Sequence, residues 1–197
     1  ANPELIFGEI ARRSEDFGVA HEHFLRALKM QEEDLGTHHR KVAETLFRMS
    51  VLQFTHAEAL AGAQDMERKL ALFQEAIEQG ERSLHLFLEC DGCQHSDAIS
   101  CKEHVTLCLY GWTLCSFEVE MAPVKAALAA GQDHKPVWMK AVPRLLQVHK
   151  ALAHCLTYMK ELEKMRGMEH NHSKKLEPLF QQLVDIRPLL PPLPPQD

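Results

Sequence analysis

The chain has 197 residues, of which 45% are hydrophobic and 25% are charged, and its formal net charge is −6. This length suffices for one domain, or for a small array of repeats, with a real hydrophobic core. The acidic balance argues against broad nucleic-acid binding, which needs a basic face, and no apolar run approaches the roughly 18 residues of a membrane span.

Residue usage predicts an all-α protein. The chain contains only 9 glycines and few hairpin-type turns, whereas Ala, Leu, Glu, Lys and Met are abundant. Six cysteines without a secretory signal are expected to be reduced thiols. The first residue is Ala1 and the helical pattern starts at once, which predicts that the sequence is a piece of a longer protein.

Four helices are predicted in the first half of the chain. Asn2 and Pro3 have the character of an N-cap and a first helical residue, and Gly36 that of a C-cap. The predicted helices run from about Pro3 to Arg13, Gly18 to Leu35, His39 to Ala59 and Gln64 to Glu89.

The second half predicts a loop, two helical regions and an extended tail. The loop covers Cys90 to Ser100, and a helix follows from His104 to Ala130 with a break or kink near Pro123. After a turn at 131–134, a long helix runs from Val142 to Gly167 and continues or restarts from Ser173 to Ile186. The proline-rich residues 188–197 are predicted to be a flexible tail, with a ligand for a proline-recognising module as the alternative.

Small and aromatic residues recur at the spacing of a tetratricopeptide (TPR) repeat. Gly8, Ala20, Phe24 and Ala27 stand 12, 4 and 3 residues apart, as in a pair of helices that pack closely. A second, irregular repeat places Phe73 three residues before Ala76 and is about seven residues longer than the consensus. We therefore predict a TPR-like α-solenoid with a long C-terminal capping helix.

The predicted organisation is a single helical domain over residues 1–187. Within it, repeats occupy residues 1–90, a Cys/His-rich insertion residues 91–141 and capping helices residues 142–187, before the tail at 188–197.

TPR geometry also predicts which residues face the concave groove. Every third or fourth position of the first helix in each pair points inward. These positions are Asn2, Leu5, Glu9, Arg12 and Arg13 in the first repeat, and Glu44, Phe47, Val51, Phe54 and Thr55 in the second. The groove is therefore apolar with acidic markers, which suits a peptide or helix that carries both apolar and basic residues. For Phe54, packing beneath a neighbouring helix is an equal alternative.

A cluster between Cys90 and His104 has spacing similar to that of zinc ligands. Its members are Cys90, Cys93, His95, Cys101 and His104. The loop between them is short for a zinc finger, so the favoured interpretation is a set of thiols in and beside a loop, with no metal or cofactor. A Gly-rich phosphate loop and the usual hydrolase signatures are absent from the sequence, so no catalytic residue is predicted.

The opening stretch resembles one known family, the interrupted-TPR (SHNi-TPR) histone chaperones of the nuclear autoantigenic sperm protein type. The likeness runs from Phe7 to about Leu52, and the part from Leu35 to Thr45 is not shared by generic TPR proteins. The matching residues are Gly8, Glu9, Ile10, Ser14, Glu15, Asp16, Phe17, Ala20, Phe24, Leu28, Gln31, Leu35, His38, Arg40, Ala43, Glu44 and Thr45. The segment from Lys174 to Leu190 is similar, more loosely, to the family's capping helix.

This resemblance implies a fold, a function and a set of site residues. The concave face would bind histone H3, alone or with H4, for histone storage, transport and nucleosome assembly. Linker histone as a second partner and a homodimer are left open. No direct contact with nucleic acid or a membrane is expected. The location would be nuclear, with a cytoplasmic pool left open. The positions that match the family's histone-binding residues are Glu9, Glu44 and Phe47, the same three that TPR geometry selects. In three respects the chain departs from the family: Arg13 replaces an acidic residue, the acidic run that interrupts a repeat is absent, and the segment from about Ala59 to Arg144 is longer and rich in Cys and His.

Two other functions compete with a histone chaperone. A generic TPR adaptor would bind a helix or peptide, and adaptors for chaperone tails use a basic clamp, which Asn2 and the two arginines resemble but Glu9 and Glu44 oppose. An enzyme that uses the Cys/His-rich region is the third and least favoured interpretation.

Overall fold

The computed structural model describes residues 2–91, 96–166 and 181. All regular elements in these residues are helical and none is a strand, which confirms the all-α prediction. The six helices are α1 (Pro3–Arg13), α2 (Phe17–Leu35), α3 (Arg40–Ala59), α4 (Met66–Asp91), α5 (Ser96–Ala129) and α6 (Lys135–Arg166), and a 3-10 turn at Ala63–Asp65 precedes α4. Among the described residues, no helix is both long and apolar enough to cross a bilayer.

The ends of the first helices follow local sequence signals. The Asn2 side chain accepts a hydrogen bond from the Glu4 backbone N–H at 3.0 Å, and Pro3 is the first residue of α1. Gly36 ends α2 with φ = 84°, a left-handed conformation that costs little without a side chain. The predicted bounds of α1 to α4 are therefore correct to within two residues.

Contacts between residues divide the chain into two compact units, 1–108 and 109–197. In the first unit, α1 packs on α2, α2 on α3 and α3 on α4. Its core includes the fully buried rings of Phe24 and Phe73, with Phe87 at 2% exposed.

Two glycines permit close approaches in the first unit. A Cβ atom at Gly8 would lie 2.6 Å from the ring of Phe24, so α1 reaches α2 at this point only because the side chain is missing. A Cβ atom at Gly80 would lie 2.7 Å from Val105 Cγ2 and 3.0 Å from Ser50 Oγ. Gly80 therefore lets α4 approach both α3 and the beginning of α5.

The second unit contains the later part of α5 and helix α6. The turn between the two helices uses Gly131 at φ = 65°, and the Asp133 side chain accepts the Lys135 backbone N–H at 3.0 Å. An ion pair joins Arg144 to Glu120 at 3.0 Å. The buried apolar residues of the second unit are Leu109, Phe117, Val124, Ala127, Ala141, Leu145, Val148, Leu152, Cys155, Met159 and Leu162.

The predicted loop from Cys90 to Ser100 is wrong at both ends. Helix α4 continues to Asp91, and α5 begins at Ser96 instead of His104. The reason is a buried stripe at helical spacing, Ala98, Cys101, Val105 and Cys108, in which cysteine acts as a small hydrophobic residue. Residues 92–95 lie outside the described part.

Helix α6 begins at Lys135, seven residues before the predicted start at Val142. The Asp133 cap and Pro136 in the first turn start the helix, and Pro143 is accommodated inside it. The predicted helix from Ser173 to Ile186 and the tail at 188–197 lie outside the described residues, apart from Gln181, which is helical.

Candidate functional site

A cavity of about 390 Å³ opens on the first unit. Half of the ten groove residues predicted from the sequence line it, namely Glu9, Arg12, Glu44, Phe47 and Val51. Arg48, Phe87, Asp97 and Ser100 complete the lining. The cavity is therefore built by four helices, α1, α3, α4 and α5.

Helical periodicity explains the contribution of α3. Glu44, Phe47, Arg48 and Val51 lie at intervals of three and four residues, so they share one face of this helix. Arg12 follows Glu9 by three residues and lies on the same face of α1. These two faces supply six of the nine lining residues.

Glu9 is held by arginines of its own helix. Arg12 Nη2 lies 2.7 Å and Arg13 Nε 3.3 Å from Glu9 Oε1, and Arg12 Nε donates a second bond to Oε2 at 3.1 Å. The Arg12 hydrogen bond, with the nearby Arg13 charge, lowers the pKa of Glu9. A cationic ligand at Glu9 therefore meets a carboxylate that is ionised at neutral pH and already paired.

The other two carboxylates of the cavity share Arg40. Its Nε lies 3.8 Å from Glu44 Oε1, and its Nη2 donates to Asp97 on α5. Arg48 differs from Arg12, Arg13 and Arg40, because no carboxylate of the described residues lies within ion-pair distance of it. The cavity therefore has three carboxylates that are paired with arginines, and one arginine, Arg48, that is not paired with a carboxylate of the described residues.

An aromatic cluster supports the apolar part of the wall. The His104 ring meets Phe47 edge-on at 5.5 Å between centroids, with an interplanar angle of 90°. The same ring meets Phe54 at 5.4 Å, and Phe54 also contacts Phe73 at 5.8 Å. Phe54 therefore packs beneath α4 and α5 and is not part of the lining, as one of the two alternatives predicted.

Four more of the predicted groove residues do not line the cavity. Leu5 is half-buried on α1, and Asn2 caps that helix. Arg13 reaches Glu9 from outside the cavity. Thr55 donates to the Val51 carbonyl oxygen at 2.7 Å within α3.

The residues with zinc-like spacing have other partners in the structure. Cys90 Sγ donates to the His38 carbonyl oxygen at 3.5 Å, and Cys101 Sγ donates to that of Gly80 at 3.4 Å. His104 Nε2 is bonded to Ser50 Oγ at 3.0 Å. Cys93 and His95 lie outside the described part, and among the described residues no three His, Cys, Asp or Glu side chains are close enough to hold a metal ion.

Cys108 Sγ lies 3.5 Å from His104 Nε2 and forms a Cys–His pair with it. Burial raises the pKa of the Cys108 thiol and lowers the pKa of His104 to about 4. Burial also raises the pKa of Cys101 to about 12. An activated nucleophile needs the opposite shift of the thiol, toward thiolate at neutral pH, so these thiols are in their least reactive state.

Sequence reasoning missed four lining residues and the role of His104. Arg48 is one residue from the predicted Phe47, and the helical period could have included it. Phe87, Asp97 and Ser100 come from α4 and α5, and their approach to α3 depends on tertiary packing that no local pattern encodes.

The chain matches no model of a known protein family and no curated protein.

Proposed function

We propose that the protein is a histone chaperone of the interrupted-TPR type, which binds core histones H3–H4 in the cavity between α1 and α3. The observation that carries the proposal is that Glu9, Glu44 and Phe47, which come from two different helices, line the same cavity. Family resemblance and helical periodicity selected these three residues without knowledge of the tertiary structure.

Cavity size and chemistry support a peptide or helix as the ligand. A volume of about 390 Å³ falls in the usual range of binding pockets, about 300–1,000 Å³. Phe47 and Val51 offer an apolar contact, and Phe87, 2% exposed, also lines the cavity. An apolar side chain of the ligand would insert here, with flanking Lys or Arg at the rim.

The charges of the cavity fit a basic ligand. Glu9, Glu44 and Asp97 supply three carboxylates against two lining arginines, and the whole chain carries a net charge of −6. A histone lysine or arginine would compete with Arg12 and Arg40 for these carboxylates. Replacing one ion pair by another increases specificity and the association rate more than it increases affinity. Most of the affinity would therefore come from the apolar contact.

A chaperone of this kind works without catalysis. It covers a basic, aggregation-prone surface of the histone and lowers non-specific contacts with nucleic acid until the histone is deposited. The proposed arrangement of the helices is a TPR-like solenoid, and the proposed location is the nucleus.

A generic peptide adaptor is the second candidate, and Arg12 and Arg48 in the lining favour it. Adaptors that bind acidic chaperone tails need free cationic groups, but Arg12 is engaged by Glu9. Of the two lining arginines, this leaves Arg48 to meet a ligand carboxylate.

Binding of purified H3–H4 and of an acidic chaperone-tail peptide, measured by calorimetry, separates the two candidates. The histone chaperone predicts binding of H3–H4 and no binding of the peptide. The adaptor predicts the reverse result.

A further inference from the structure

We propose that His104 is a positioning residue that holds the ring of Phe47 in the wall of the cavity. The inference rests on the proposed function, because it assigns Phe47 the role of apolar anchor for the histone. It also gives a role to the Cys/His-rich segment, whose spacing first resembled a metal site.

The His104 ring is the direct support of Phe47. The ring centroids are 5.5 Å apart and the planes are perpendicular, which is a favourable edge-to-face geometry for aromatic rings. Phe54 closes on the imidazole at 5.4 Å and 74°. The imidazole is therefore in contact with both phenylalanine rings, and only Phe47 also lines the cavity.

A short chain of hydrogen bonds fixes the orientation of His104. The Ser50 hydroxyl donates to the Ala76 carbonyl oxygen at 2.6 Å. Since its single proton is used there, the Ser50 oxygen accepts the 3.0 Å bond from His104 Nε2. His104 is therefore protonated on Nε2, and its ring cannot rotate without breaking this bond.

His104 stays neutral at physiological pH because it is buried. Burial lowers its pKa to about 4, and the bond with Ser50 offsets only part of this shift. The thiol of Cys108, 3.5 Å away, is protonated and adds no charge.

Close packing of three helices keeps His104 in this place. Gly80 on α4 lies against Val105, the residue next to His104, and against Ser50 on α3. Ser50 and Val105 are both fully buried. Because α5 is packed closely against α4 near His104, the His104 ring is a rigid support for the ring of Phe47.

A rigid anchor improves binding, since a side chain that is already ordered loses less entropy on association. Ordering one side chain changes affinity by about threefold to tenfold. His104→Leu, which removes the ring and the hydrogen bond, is expected to weaken H3–H4 binding by this factor. His104→Phe, which keeps an aromatic ring against Phe47, is expected to retain most of the affinity.

A double-mutant cycle tests whether His104 acts through Phe47. His104→Leu should weaken H3–H4 binding in the native background and have no further effect in the Phe47→Ala background. Val105→Ala is the matched control, because it removes buried atoms from the neighbouring position on the α4 side of α5. An equal loss in both backgrounds, or an equal loss with Val105→Ala, would overturn the proposal.

A second measurement needs no histone and keeps the two proposals distinguishable. NMR signals of a selectively labelled Phe47 ring should shift and broaden in His104→Leu and in Ser50→Ala, but not in His85→Leu, an exposed site outside the cavity lining. Unchanged Phe47 signals in both variants would overturn the positioning role. If the native protein fails to bind H3–H4, the proposed function is wrong, and the ring signals alone decide whether His104 orders Phe47.

Discussion

Gly8→Ala is the sharpest test of the packing between α1 and α2. The new methyl group would lie 2.6 and 2.7 Å from two ring atoms of Phe24, well inside van der Waals contact. Phe24 is fully buried, so its ring has no free space to enter. The helices must then separate, or Phe24 must leave its preferred rotamer.

The size of the effect follows from two opposing terms. Overpacking of a tight core site costs about 1–3 kcal/mol, and the contact at Gly8 belongs in the upper half of this range because the obstacle is a buried ring. Replacing Gly by Ala inside a helix gains about 1 kcal/mol. We therefore expect Gly8→Ala to lower the free energy of unfolding by about 1–2 kcal/mol.

Gly18→Ala is the matched control on α2. The nearest atom to its Cβ would be Asp16 Oδ1 at 3.9 Å, an ordinary contact, so only the helix-propensity gain of about 0.5–1 kcal/mol remains. Urea unfolding followed by circular dichroism measures both variants. If Gly8→Ala is as stable as the native chain, or if both variants are stabilised alike, the close approach of α1 and Phe24 is wrong.

Three further predictions concern the core, the buried histidine and the charges of the cavity. Ala27 is fully buried, so Ala27→Leu should cost about 1–3 kcal/mol in chemical unfolding, and no loss would mean that this helix pairing is misread. The pKa of His104 is depressed from 6.5 to about 4 in the folded state, so its contribution to stability is present above pH 6.5 and is lost as the pH falls to about 4. The loss is on the order of 3 kcal/mol, and the pH dependence of unfolding should be flatter in His104→Phe by this amount; identical profiles would refute the burial of a neutral imidazole. Glu9→Lys combined with Glu44→Lys should weaken H3–H4 binding most at low salt, where screening is weakest. Titrations at two salt concentrations test this, and a loss of affinity that is equal at both concentrations, or no loss, would contradict it.

Local signals were sufficient for the first four helices. Asn2 and Gly36 define helix ends by hydrogen bonding and backbone conformation within a few residues, so sequence alone contains them. The start of α5 was not predicted from such signals, because the cysteines of this segment were considered as reactive thiols or metal ligands. Cys101 and Cys108 are instead buried apolar residues. A periodicity that counts cysteine as apolar would have found this helix.

The candidate site was predictable only in part. Helical geometry identified Glu9, Glu44, Phe47 and Val51, because each lies on a regular face of its own helix. It could not separate Phe54, which shares the α3 side but is covered by Phe73 and His104. Which part of a helical face stays open depends on the next helices, and this information is not local.

The pairing of the carboxylates was also outside the reach of sequence reasoning. Arg12 and Arg13 were predicted to face the groove. Arg12 does line the cavity, and both arginines are paired with Glu9. Asp97 joins Arg40 across 57 positions of the chain. The acidic character of the cavity is therefore weaker than a count of its glutamates implies.

The most direct measurement is the formation of a complex with purified H3–H4, followed by size-exclusion chromatography and calorimetry. We expect the native chain to bind H3–H4, and Phe47→Ala to weaken this binding at every salt concentration by about 2 kcal/mol or more, as for a buried anchor of an interface. Phe7→Ala, which removes a phenylalanine that is 52% exposed and does not line the cavity, should bind like the native chain. No complex with the native chain, or equal affinities for native and Phe47→Ala proteins, would contradict the assignment of this cavity as a histone-binding site.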